Sequence, residues 1–97
     1  MKSYNYKGYE IIPQELKYRN GRTALQFINV EDGFQFCIAS VNLPDEDLKE
    51  NEMAIKDYSE NSGILDFLID NKIVSAPVRW VNSSHVSIPI VIYNGII

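Results

Sequence analysis

One cysteine, one histidine and one tryptophan in 97 residues set the first limits on this chain. With Cys37 unaccompanied, no internal disulfide can close and no zinc site built on cysteine pairs can form, the pattern of a reducing compartment. No apolar run approaches the ~18 residues that span a bilayer. The start, Met1-Lys2-Ser3-Tyr4-Asn5-Tyr6, lacks the apolar core of a secretory signal. The expectation is a cytoplasmic protein without membrane contact. Phosphate loops, dinucleotide fingerprints, zinc-ligand spacings and RNA-binding aromatic motifs are missing as well. Basic residues are few and scattered, nine against thirteen acids for a net charge of -4. Nucleic-acid binding rests on clustered Lys and Arg that neutralise phosphates, so this balance argues against it.

What is present is ordinary globular composition, 45% hydrophobic and 23% charged, which excludes disorder and low-complexity sequence. The length predicts a single domain, residues 1–97, that buries roughly 65% of its unfolded surface in one modest core. Charge is unevenly spread. Eleven of the thirteen acids lie between Glu31 and Asp70, against only Lys49 and Lys56, whereas the first thirty residues are net basic.

Turn signals and alternation define the strands. Lys7-Gly8 separates Tyr4–Tyr6 from Tyr9–Ile12 as a small hairpin, and Asn20-Gly21 predicts a type I′ turn between Glu15–Arg19 and Arg22–Val30. Asp32-Gly33 starts a third run, Phe34–Asn42, whose faces (Phe34, Phe36, Ile38 and Cys37, Ala39, Val41) are both apolar, as expected of a strand in the middle of a sheet. Pro44 ends that run and an acidic loop, Asp45–Asn51, follows. Glu52–Lys56 predicts a short strand.

The one helix is expected over about residues 59–71. Asp57 with Glu60 forms a capping-box pattern, Ser59 and Ser62 are rival caps, and Ile64, Leu65, Phe67, Leu68 and Ile69 make an apolar stripe. Asn71 suits a left-handed stop. Ile73–Val81 and Val86–Tyr93 are expected to close the fold, with Pro77 and Pro89 each removing a ladder donor. These segments predict an α+β fold: a mainly antiparallel sheet of five to seven strands, a meander plus a C-terminal hairpin, with one helix packed on one face.

Two places invite a site. The exposed acids Asp45, Glu46, Asp47, Glu50 and Glu52 suit contact with a basic protein surface, and they lack the ligand alternation and central glycine of a calcium loop. Ser59, Asn61, Ser62 and Gly63 offer helix-start amides to an anion or nucleotide, although Asp57 and Glu60 compete for those amides and repel such a ligand. Neither feature implies a cofactor or a metal. No catalytic residue emerges. His85 beside Ser83 and Ser84 is a turn residue, because adjacent residues cannot assemble a nucleophile, base and orienting acid. Cys37 between Phe36 and Ile38 reads as a small buried hydrophobe. The tyrosines, Tyr9, Tyr18 and Tyr93 near strand ends among them, suit either half-buried sheet positions or an interface.

The order Val41-Asn42-Leu43-Pro44, acidic loop, Lys56-Asp57-Tyr58-Ser59-Glu60-Asn61, Gly63 and an apolar helix, then Ile73-Val74 resembles an uncharacterised family of small bacterial proteins, domain of unknown function 4313, over about residues 20–93. The resemblance brings no activity and no catalytic residues. What it implies is context, an accessory protein of a phage or mobile element that binds host or defence machinery. The functional expectation is therefore a non-enzymatic protein-binding module. The alternative is a small-ligand module using the helix start, and a homodimer through an exposed strand edge is a further expectation.

Overall fold

Seven strands and one short helix carry residues 2–96, the part of the chain that the computed structural model describes. Strands β1 (Tyr4–Tyr6) and β2 (Tyr9–Lys17) meet through Lys7 and Gly8, both at positive φ (52° and 86°), as a two-residue hairpin turn requires. With β3 (Thr23–Asn29) and β4 (Gln35–Ile38) they form an antiparallel sheet in the order β1-β2-β3-β4. β5 (Glu52–Ala54), β6 (Arg79–Ser83) and β7 (Val86–Ile92) form a second one in the order β5-β7-β6. The fold is α+β with seven antiparallel strands, divided between two sheets.

The division falls at Ala39. Its amide donates to Leu25 of β3 at 2.8 Å while its carbonyl accepts from Lys56, beyond β5, also at 2.8 Å. Next, Ser40 bridges Ile55, and the Val41 amide donates to Ala54 at 3.0 Å. The run expected as one central strand thus ends at Ile38 as the edge of the first sheet, and its continuation covers the free edge of β5. A bulge opposite Phe27 and Ile28 gives the bend that lets one segment serve both sheets.

Between β2 and β3 only Gly21 has positive φ, and the loop closes through Gly21 N to Tyr18 O and Tyr18 N to Arg22 O, both 2.9 Å. The turn is longer than the two-residue type I′ form that Asn20-Gly21 predicts. Asn20 contributes its side chain instead, accepting from the Arg22 amide at 3.2 Å.

Pro89 sits in the central strand of the second sheet without breaking it. Its carbonyl points at β5, accepting from Ile55, so opposite Trp80 it occupies a pair whose main-chain groups face away from β6. On the β5 side the Ile55 carbonyl, which would need the absent donor, takes the Asp57 amide at 3.2 Å. Pro77 has the opposite effect. The strand expected from Ile73 begins only at Arg79, and upstream a single bridge joins Val74 to Tyr93.

The helical region is a 3₁₀ turn, Ser59–Asn61, followed by α1, Ile64–Asp70. The expected capping box does not form. Asp57 Oδ1 instead accepts from the amides of Gly63 and Leu65, each at 3.0 Å, and Glu60 pairs with Lys56. At the far end the left-handed residue is Lys72 (φ 61°) in place of Asn71 (φ -92°). The Ile73 amide reaches the Leu68 carbonyl and the Lys72 amide reaches Ile69, both at 2.9 Å, which satisfies two of the last free carbonyls.

Helix residues Ile64, Leu65, Phe67 and Leu68 are buried against Ile11, Leu25 and Phe27 of the first sheet and Met53, Ile55 and Val91 of the second. A smaller cluster, Ala54, Ile88 and Ile90, lies beneath Val41, Leu43 and Leu48. The acidic loop is therefore the cover of a second apolar layer, placed there by its own leucines.

Candidate partner-binding surface

Leu43 and Leu48 anchor the acidic loop from within, and two arginines hold it from outside. Arg22, following the β2–β3 turn, donates Nη1 to the Leu43 carbonyl at 2.6 Å and Nη2 to the Glu46 carbonyl at 2.5 Å. Arg79, at the start of β6, donates Nη1 to the Glu52 carboxylate at 2.7 Å and Nη2 to the Asp47 carbonyl at 3.0 Å. Three of these four bonds end on main-chain carbonyls. Among the described residues the ion pairs are Arg79–Glu52 and Lys56–Glu60. The carboxylates of Asp45, Glu46, Asp47 and Glu50 are in neither pair, and Asp45, Asp47 and Glu50 are exposed.

Glu52 leaves the set of contact acids. Its side chain is only 5% exposed, its second oxygen accepts from the Lys49 amide at 2.9 Å, and the Arg79 guanidinium together with that amide holds its carboxyl below the ordinary glutamate range. Its work is structural, tying the loop's end to β6.

Beside the loop lies a cleft of about 320 Å³, lined by Asn42, Leu43, Asp45 and Glu46 on one side and by Val81, Asn82 and Ser83 of β6 on the other. Leu43, Pro44 and Val81 are its apolar residues, and its loop wall carries the carboxylates of Asp45 and Glu46. β6 exposes Trp80 (56%), and Val78, just ahead of the strand, is exposed as well (51%). Strict alternation along Ile73–Val81 would put Val74, Ala76, Val78 and Trp80 on one face, towards the helix. Only Val74 is buried there, because Pro77 ends the regular alternation between them.

The helix-start residues do not converge on a ligand. The Gly63 and Leu65 amides are taken by Asp57, and Asn61 is buried with Nδ2 donating to the Ile38 carbonyl at 2.6 Å. Ser59 and Ser62 are exposed at the surface. A cleft of about 350 Å³ borders this turn, with Lys7, Lys56, Glu60 and Cys37 in its walls, but Glu60 already occupies the Lys56 ammonium. Burial, and secondarily the Glu60 charge, pushes the Cys37 thiol up to about 11, so it stays protonated at neutral pH.

Most tyrosines turn inward. Tyr4 and Tyr6 pack on Phe67 with ring centroids 6.0 and 4.8 Å away, Tyr18 shares a 2.8 Å hydrogen bond with Ser40 Oγ, and the Tyr93 hydroxyl donates to Glu15 at 2.6 Å. Burial, reinforced by that acceptor, raises the Tyr93 hydroxyl above its ordinary range. Tyr9 is the exposed one at 49%, and the most exposed aromatic is Phe34 (73%), at the tip of the β3–β4 turn. His85 is exposed in the β6–β7 turn.

Among the described residues no group of three or more His, Cys, Asp or Glu side chains is placed to hold a metal ion. No helix there is long and apolar enough to cross a membrane. Comparison of the chain with protein-family models, with curated proteins and with solved structures gives no match.

Proposed function

We propose that this chain is a non-enzymatic protein-binding module whose acidic loop meets a basic partner surface. One observation carries the reading: Arg22 and Arg79 grip the loop by its carbonyls, so the loop is held in place while the carboxylates of Asp45, Asp47 and Glu50 stay unneutralised and outward. A pre-ordered acidic surface pays little ordering entropy on binding and draws a basic partner by long-range attraction. The role as an accessory protein of a phage or mobile element, and membership of the family of domain of unknown function 4313, rest on the resemblance alone.

Charge reversal tests the reading. Affinity capture at low salt followed by mass spectrometry, repeated with Asp45→Lys, Glu46→Lys and Asp47→Lys combined, is expected to lose the captured partner. Equal capture by the reversed variant overturns the acidic contact.

A further inference from the structure

Three of the four outer strand edges in this fold are guarded. β1 is three residues long, between Lys2 and Lys7. β4 is bulged, and Asn61 caps its Ile38 carbonyl. β5 is covered by residues 39–41. Short length, bulges, lysines and a covering segment are the usual means of keeping an edge from pairing.

At the head of β6 Val78 and Arg79 both face Ile90, a bulge-like start, but from Trp80 to Ser83 the strand has no bulge, no lysine and no covering segment. Because Trp80 stands opposite Pro89 in a pair whose main-chain groups face away from each other, the N–H and C=O of Trp80 point outward, and by the period of two so do those of Asn82. No strand among the described residues pairs with that side. The edge runs between two different walls: exposed Trp80 on one face, and on the other the cleft that holds Leu43 and Val81 and is rimmed by Asp45 and Glu46.

We infer that the outer edge of β6 takes an extended basic segment of a partner protein as an added strand. This deepens the protein-binding reading above and rests on it. Strand addition places alternate side chains on opposite faces, so one set lies against the exposed Trp80 and is apolar. The other set enters the cleft, where Leu43 and Val81 cover the aliphatic stem of a Lys or Arg and the carboxylates of Asp45 and Glu46 meet its charge. The backbone pairing supplies affinity, and the alternation of basic and apolar residues supplies specificity.

The probe is a fluorescein-labelled peptide alternating lysine and valine, about eight residues long so that it runs past β6. Fluorescence anisotropy is read at low salt. Binding is expected to weaken about tenfold or more, the equivalent of one or more hydrogen bonds, when alternate peptide nitrogens are methylated. Asn82→Pro is expected to do the same, since it removes an outward donor that β7 does not use. The methylated peptide leaves the protein untouched, so the test does not depend on how Asn82→Pro folds. Asp45→Lys with Glu46→Lys is expected to abolish binding. Loss on charge reversal with indifference to methylation and to Asn82→Pro overturns strand addition and leaves the acidic contact standing. No binding at about 1 mM peptide overturns the inference. A dimer seen by light scattering that Asn82→Pro dissolves, and that the peptide does not compete away, assigns the edge to a second copy of the chain and also overturns it.

Discussion

Arg79 and Glu52 lie 2.7 Å apart, nitrogen to oxygen, and the other guanidinium nitrogen of Arg79 holds the Asp47 carbonyl 3.0 Å away. One side chain on β6 thus fixes both the end of the acidic loop and the carboxylate at the head of β5. Truncating it releases the loop and leaves the Glu52 carboxylate without its main partner.

The pH dependence of that pair follows from the direction of the Glu52 shift. The carboxyl is held below its usual value by Arg79, so its contribution is fully present above the unfolded glutamate pKa and is lost as pH falls through the lower folded one. Thermal melts of wild type and Arg79→Met are expected to differ most at neutral pH and to converge in acid. A difference independent of pH contradicts this assignment.

Ser40 is the buried joint between the sheets. Its Oγ accepts from the Leu25 amide at 2.9 Å and lies 2.8 Å from the Tyr18 hydroxyl. Ser40→Ala strands a buried amide and is expected to cost about 1–3 kcal/mol in urea unfolding, whereas Tyr18→Phe costs about 0.5–1.5 kcal/mol. Equal losses would show that the Leu25 amide finds another acceptor.

Asp57 caps the helix from six and eight residues upstream, through Gly63 and Leu65. Asp57→Ala is expected to cost about 1 kcal/mol, and Glu60→Ala much less, because Glu60 makes only an exposed pair with Lys56. The capping-box pattern predicts a substantial loss at both positions. Urea melts of the two variants separate the arrangements.

The Tyr6 hydroxyl is buried without a hydrogen-bond partner among the described residues, while its ring packs on Phe67. Tyr6→Phe keeps the ring contact and removes the unsatisfied oxygen. A gain of up to about 1 kcal/mol is expected, and a loss would mean that the hydroxyl is satisfied in solution.

Local chemistry made much of this fold legible. Lys7-Gly8, Asp32-Gly33 and the stripe from Ile64 to Leu68 announce a hairpin, a turn and a helix through residues that need no distant partner. Pairings decided by distant groups were hidden. Asp57 matches a cap for Glu60 in sequence, yet it bonds past the 3₁₀ turn because Asn61 is drawn inward to Ile38. A lysine at positive φ, as at Lys72, goes against preference, so Asn71 beside it drew the prediction. For the candidate surface, the acids were visible as a charge run. The roles of Arg22 and Arg79 were not, since each acts on carbonyls more than twenty residues away. Trp80 and Val78 followed an alternation that ran through Pro77, and only the late start of β6 put them at the surface.

The ordered acids and the open edge of β6 meet on one surface. The direct measurement is an amide chemical-shift titration of the labelled chain with the alternating lysine–valine peptide. Shifts are predicted at Asp45, Glu46, Trp80 and Asn82, with the Trp80 and Asn82 amides gaining protection from exchange. Shifts confined to the cleft beside Lys7 and Lys56, or shifts at the acids with no added protection at Trp80 and Asn82, would contradict it.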